Sequence, residues 1–276
     1  MSLRVEDVGL CCGSILQADL STLAEVASAA GFRDLTIWPT LYTAAIEAGL
    51  DPPGLRRRLD DLGVRVVELD PICTWVPVEI PDDAMTARFA RYDEADFFAM
   101  AEVLGSTALN VIRGDDDRSV SDEAMIDGLG ALADRAAGHG LRVQLEFLPW
   151  SPLATLDHAA RIVAGVGRAN CGVHVDVWHL VRSGGSVDDL STLDPALVGA
   201  VQLSDLAPEP WDDLFAETSS GRRLPGEGDG SAARAVVALS AAGVDAPVNL
   251  EVFSSELLTL APADAAARLA RSVGSL

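Results

Sequence analysis

The chain has 276 residues, with 42 acidic against 20 basic side chains and a formal net charge of −22. All of its basic residues are arginine, which excludes mechanisms built on a Schiff-base lysine. The acidic excess argues against a nucleic-acid partner, which needs a concentrated basic face, and suits a soluble enzyme whose pocket is locally neutralised.

A hydrophobic fraction of 49% is ample for a large core. No apolar run approaches the ~18 to 20 residues of a membrane span, and the first ten residues lack the basic and apolar regions of a secretory leader. A cytoplasmic protein with no membrane partner is expected. Cys11, Cys12, Cys73 and Cys171 show no CxxC pairing and lie in apolar stretches, as reduced core thiols do.

Apolar runs followed by Ala/Leu-rich helical patterns repeat from end to end. The first run is 8–16, followed by a helix over 19–30 capped by Asp19 or Ser21 and closed at Gly31. A strand over 34–38 and a helix centred on 55–62 lead through Gly63 to a strand over 64–69. Residues 70–85 carry Pro71, Trp75, Pro77 and Pro81 without helical period and predict a loop over a pocket. A helix over 88–104 precedes a strand over 108–112, and a helix over 121–137 closes at Gly138 and Gly140. The strand over 143–147 breaks at Pro149; a helix over 156–163, a strand over 172–177, a helical stretch over 188–193 and a strand over 198–203 follow. A Gly/Pro-rich loop, 207–230, leads to a helix over 231–241, a strand over 248–252 and a terminal helix over 262–272.

About eight strand–helix units without a linker predict an α/β fold, a (β/α)8 TIM barrel built as one domain over 1–276. An open doubly wound sheet would alternate in the same way. Against it, no GxGxxG follows the first strand, where the sequence reads Gly13-Ser14-Ile15-Leu16.

Strands of a parallel barrel are buried on both faces, so a carboxylate at a strand end is costly unless it binds something. Glu146 ends VQLE, Asp176 ends GVHVD, Gln202 lies in AVQL and Glu251 ends VNLE. In a barrel these ends converge on the face where active sites are built. Three close carboxylates would repel one another, whereas a divalent ion would hold them ionised. An all-oxygen donor set favours Mn²⁺ or Mg²⁺, with Zn²⁺ or Co²⁺ possible. Taken singly, each residue is as readily a helix cap or an arginine partner.

The segments LEF at Glu146, VDVWH at 175–179, the strand-end Gln202, GRRLPGEGD at 221–229 and LEVF at Glu251 together resemble the xylose isomerase-like barrels, a superfamily of sugar isomerases, epimerases and dehydratases. The resemblance covers nearly the whole chain and keeps the motifs in order. It implies that Glu146, Asp176 and Glu251 bind one divalent metal and that His179 contacts substrate. It also implies that Arg222 or Arg223 reaches substrate oxygens; barrels of this superfamily are often homo-oligomers, though no segment here specifies an interface. Many epimerases of the superfamily carry histidine where Gln202 stands, whereas dehydratases of inosose or 3-dehydroshikimate resemble this sequence there.

The chemistry implied is proton abstraction next to a carbonyl, with Glu146 and Glu251 as ligands and proton shuttles. The expected substrate is a small polyhydroxylated carbonyl compound. Return of the proton by the second glutamate gives isomerisation or epimerisation; loss of a β-hydroxyl, assisted by His179, gives dehydration. A non-catalytic sugar-binding barrel and an endonuclease are the remaining alternatives, and the charge of −22 opposes the second. Arg113, just after the fourth strand, is a candidate for a substrate carboxylate or phosphate, or a partner of the solvated run Asp115 to Asp117. Trp38, Trp75 and Trp150 follow strands and can wall a sugar's apolar face. Glu68 and Asp70 share a face of the third strand and would orient hydroxyls or pair with Arg65. His174 is expected as a hydrogen-bonded core histidine, with His139 and His158 at the surface.

Overall fold

In a computed structural model, residues 3–80 and 86–276 are described. Eight parallel strands pair in chain order and β8 closes on β1, giving the expected barrel. They are β1 (Gly9–Cys11), β2 (Asp34–Ile37), β3 (Arg65–Ile72), β4 (Ala108–Ile112), β5 (Arg142–Glu146), β6 (Cys171–Asp176), β7 (Val198–Leu203) and β8 (Val248–Leu250). Leu35, Leu109, Val143, Val173, Val175 and Leu203 are fully buried on them. No helix among the described residues is long and apolar enough to cross a membrane.

Helix boundaries follow local chemistry. Helix Leu20–Ala30 starts where the Asp19 carboxylate accepts from Thr22 N at 2.7 Å, and ends at Gly31, whose φ of 100° favours glycine. The first run is shorter than expected: β1 ends at Cys11 and a 3-10 turn, Cys12–Ile15, follows. The helix expected over 88–104 is two, Ala87–Ala90 and Glu94–Leu104, because Asp93 and Asp96 form a reciprocal cap that starts a new helix. Four short α-helices were not anticipated: Pro39–Glu47, Val177–Arg182, Leu214–Ser220 and Ser255–Leu258. Pro81 and Met85 of the expected pocket loop lie outside the described residues.

The barrel axis is lined by an unusually polar set. Thr36, Glu68, Asn110, Gln144, His174, Gln202 and Asn249 are all buried strand residues. Glu68 on β3 and His174 on β6 approach to 3.9 Å across the barrel, so both point inward. A Cβ on Gly172 would lie 2.7 Å from Gly199 Cα, so β6 and β7 run in close contact, with Asp176 opposite Gln202 at their carboxyl ends.

Candidate metal centre and active site

At the carboxyl ends of the strands lies a cavity of about 360 Å³ whose lining includes Asp70, Glu146, His179, Arg222 and Glu251. Asp176 ends β6 and caps helix Val177–Arg182, its Oδ1 accepting from His179 N at 3.0 Å. That cap fixes both side chains: Oδ2 turns to Arg222, and His179 stands with Nε2 3.5 Å from Glu146 Oε1. Glu146 on β5 accepts from Asn110 Nδ2 at 2.6 Å, and the same amide donates to Asp70 Oδ1 at 2.8 Å. Glu251, just past β8, accepts from Gln202 Nε2 at 3.0 Å and from the Cys11 thiol at 3.1 Å.

Among the described residues, one fully buried cation sits among these acids. Arg222 Nη1 lies 2.6 Å from Asp176 Oδ2 and 3.1 Å from Glu251 Oε2, and its Nη2 donates to Thr218 Oγ1 at 2.9 Å. Its backbone N–H donates to Phe253 O at 3.0 Å, which ties the loop after β7 to that after β8. Burial opposes ionisation of Asp176, yet Arg222 and the His179 N–H outweigh it and hold the carboxyl down to about 2. Glu146 is pushed well up by burial and then by the charges of Glu251, Asp70 and Asp176. Glu251 is pushed well up by burial and Cys11. Burial pushes His179 down to about 3 and His174 to about 4, so both are neutral near pH 7.

Asp70 is raised to about 6, chiefly by burial. A carboxyl raised in the folded state holds its proton there after the unfolded chain has lost it, so it costs stability as pH rises from about 4 through about 6. Asp70→Asn removes that cost. In chelator, the melting temperature of D70N relative to wild type is expected to rise across this window and then level off. A flat difference would show that Asp70 ionises normally.

The family described as xylose isomerase-like TIM barrel matches residues 24–274. The chain belongs to that family. Among curated relatives, the 3-dehydroshikimate dehydratase of Pseudomonas aeruginosa is 27% identical over 241 residues, 87% of this chain and 37% of that protein. An inosose isomerase of Halalkalibacterium halodurans is 28% identical over 142 residues, 51% of this chain and 49% of that enzyme. The chain therefore spans half or less of the length of these relatives, which are enzymes. Among solved structures, the crystal structure of IolI protein with a zinc atom superposes with a TM-score of 0.82 at 19% identity, over 97% of either chain, a likeness of fold.

In this xylose isomerase-like barrel the expected residues Glu146, Glu251, His179, Arg222, Trp38 and Trp150 line one cavity, and the strand-end Asp176 and Gln202 stand behind it, bonded to Arg222 and Glu251. Trp38 Nε1 donates to Asp70 at 3.3 Å, and Trp150 packs edge-on against His179 at 5.4 Å. Two expected substrate contacts are corrected. Arg113 is fully buried away from the cavity lining, its guanidinium held by Asp115 at 2.5 and 2.7 Å and by Asp117 O. Asp115 is accordingly buried rather than solvated. Arg223 points outward to Glu256 at 3.2 Å. Trp75 is core, donating to Ile112 O at 2.8 Å.

His174 is buried as expected, but neither ring nitrogen has a hydrogen-bond partner. Arg65 pairs with Asp34, which leaves Glu68 and Asp70 inside the barrel. His158 pairs with Asp122, and His139 is exposed, stacked on Phe98. The paired glycines of the PGEG loop are structural: Asp205 Oδ2 accepts from Gly226 N and Gly228 N, and a Cβ on Gly228 would lie 2.5 Å from Leu206 O.

Sequence reasoning missed Cys11, Asn110 and Thr218 at the site and Phe89, Phe215 and Phe253 in the wall. Asn110 carried a usable signal, an amide in the middle of the apolar strand ALNVI. Cys11 carried none beyond its parity, because a thiol passes for an apolar core residue.

Proposed function

We propose that the chain is a divalent-metal-dependent isomerase or epimerase of a small polyhydroxylated carbonyl compound, working by proton transfer at the carbon next to the carbonyl. The observation that carries this reading is the pair of buried glutamates, Glu146 and Glu251, that enter one cavity from strands three apart, both held well above the usual carboxylate range.

Glu146, Asp176, Gln202 and Glu251 would hold the ion. The residues fit it: the Gln202 Oε1 is buried without a hydrogen-bond partner, and a single guanidinium faces three of the acids. The oxygen set favours Mn²⁺ or Mg²⁺, and the zinc in the related barrel keeps Zn²⁺ in view. When bound, the ion supplies the electrophile that makes a proton next to a carbonyl removable.

The protein's own groups do the rest. Glu146 and Glu251 enter the cavity from opposite flanks, so one takes the proton and the other returns it. His179, kept neutral by burial, hydrogen-bonds a substrate hydroxyl. Trp38, Phe89, Trp150 and Phe215 line the cavity and exclude water from the reacting carbon.

A dehydratase acting on an inosose or 3-dehydroshikimate is the second reading. It is favoured by Gln202 and by the dehydratase relative, which matches most of this chain.

Incubation of the Mn²⁺-loaded protein with inosose, other ketoses and 3-dehydroshikimate in D₂O separates the readings. The expected result is deuterium at the carbon next to the carbonyl, seen by NMR and abolished by chelator. Ultraviolet growth of an enone or aromatic product instead supports the dehydratase. Neither signal with any of these substrates overturns both.

A further inference from the structure

A second group of buried side chains adjoins the first. The ligand atoms of Cys11, Asp70 and Glu251 lie within 4.8 Å of one another, and all three residues are buried. They form a cluster apart from Glu146, Asp176 and His179, whose ligand atoms lie within the same distance of each other.

Charge gives the first reason to look there. Glu68, Asp70, Glu146, Asp176 and Glu251 are buried in or beside the barrel mouth, and among the described residues the one buried guanidinium facing them is Arg222. One divalent ion takes up two of the four charges left over, and an unpaired buried carboxylate is costly. Protons or a second cation must take up the remainder.

The Thr36 hydroxyl supplies the second reason. Thr36 stands opposite Cys11 in the β1–β2 ladder, is fully buried, and its Oγ1 has no hydrogen-bond partner. The neighbouring Cys12 and burial push the Cys11 thiol well above its ordinary range, so the free site holds the protonated thiol. Asp70 is meanwhile fixed by Asn110 and Trp38, which donate to its two oxygens and leave further lone pairs toward Cys11.

We propose that Cys11, Asp70 and Glu251 form a second divalent-cation site, with Glu251 shared between the two sites and Thr36 beside the sulfur. One sulfur with two carboxylate oxygens selects thiophilic ions such as Zn²⁺, Co²⁺ or Cd²⁺ over Mg²⁺. The ion displaces the thiol proton as it binds, so its affinity rises with pH. The site rests on the metal reading above only through Glu251, and it assigns no step of the reaction to the second ion.

Titration of the chelator-treated protein with Co²⁺ tests this. Two equivalents are expected, one of them accompanied by an intense near-ultraviolet thiolate-to-cobalt band. Cys11→Ser should lose the band and one equivalent and keep the other. Glu146→Gln should weaken the equivalent without the band and leave the band in place, which separates this site from the catalytic one. X-ray absorption of the wild-type protein loaded with two equivalents of Zn²⁺ needs no variant, and should show a sulfur scatterer at about 2.3 Å. One equivalent without a band, one equivalent with a band, a band that survives in C11S, or no sulfur scatterer would each overturn the proposal.

Discussion

Arg222→Met is expected to lower the melting temperature of the metal-free protein by on the order of 10 °C. Arg222 is 1% exposed, donates a hydrogen bond to Asp176 and is ion-paired with Glu251. Removing one partner of a buried ion pair costs about 3–5 kcal/mol, and each kcal/mol shifts the melting temperature of a domain this size by about 2–4 °C. Arg222→Lys keeps the charge but not the fork that reaches Asp176 and Thr218 together, so it should recover only part of the loss. Millimolar Mn²⁺ should recover part of it too, because the ion neutralises the same acids. A melt of R222M in chelator within about 2 °C of wild type would show that these carboxyls are protonated rather than paired.

Glu146→Gln is expected to cut turnover by at least about a hundredfold, the lower bound for losing a positioned acid–base group. The loss should persist in saturating Mn²⁺, which separates a lost base from a lost ligand. The same variant should make the metal-free protein more stable. Glu146 is raised by burial and by three neighbouring acids, and an uncharged isostere ends that repulsion while Asn110 can still donate to its Oε1. Opposite signs in the two measurements are the mark of a strained functional group. A variant that is both inactive and destabilised would make Glu146 a structural residue.

The barrel itself was legible because its strands are apolar runs of fixed rhythm. Strands β4 (Ala108–Ile112) and β7 (Val198–Leu203) and helix Pro262–Ser272 lie where periodicity places them. The short helices were not, and the reason is physical. Helix Val177–Arg182 has six residues, too few to show a period, and its cap is the same Asp176 that the sequence marks as a strand-end acid. Helix Leu214–Ser220 lies in a Gly/Pro-rich stretch and depends on tertiary contact, its buried Glu217 bonded to Arg182 at 2.5 Å. The strand-end carboxylates stood out because an acid closing an apolar run is expensive. Cys11 and Asn110 face the same centre, but a small thiol and one amide inside apolar strands leave only their parity as a trace. Arg113 misled because a positive charge after a strand looks equally available to a ligand and to an acid two residues on, and the nearer acid won.

Asp176 is at once the last residue of β6 and the cap of the helix that begins at Val177. No loop residue separates the final barrel hydrogen bond from the first helical one. The entropy of aligning this acid with His179 is therefore spent when the chain folds, not when a ligand arrives. An ion or substrate meets a joint already set, so its affinity is not diluted by ordering the groups that receive it.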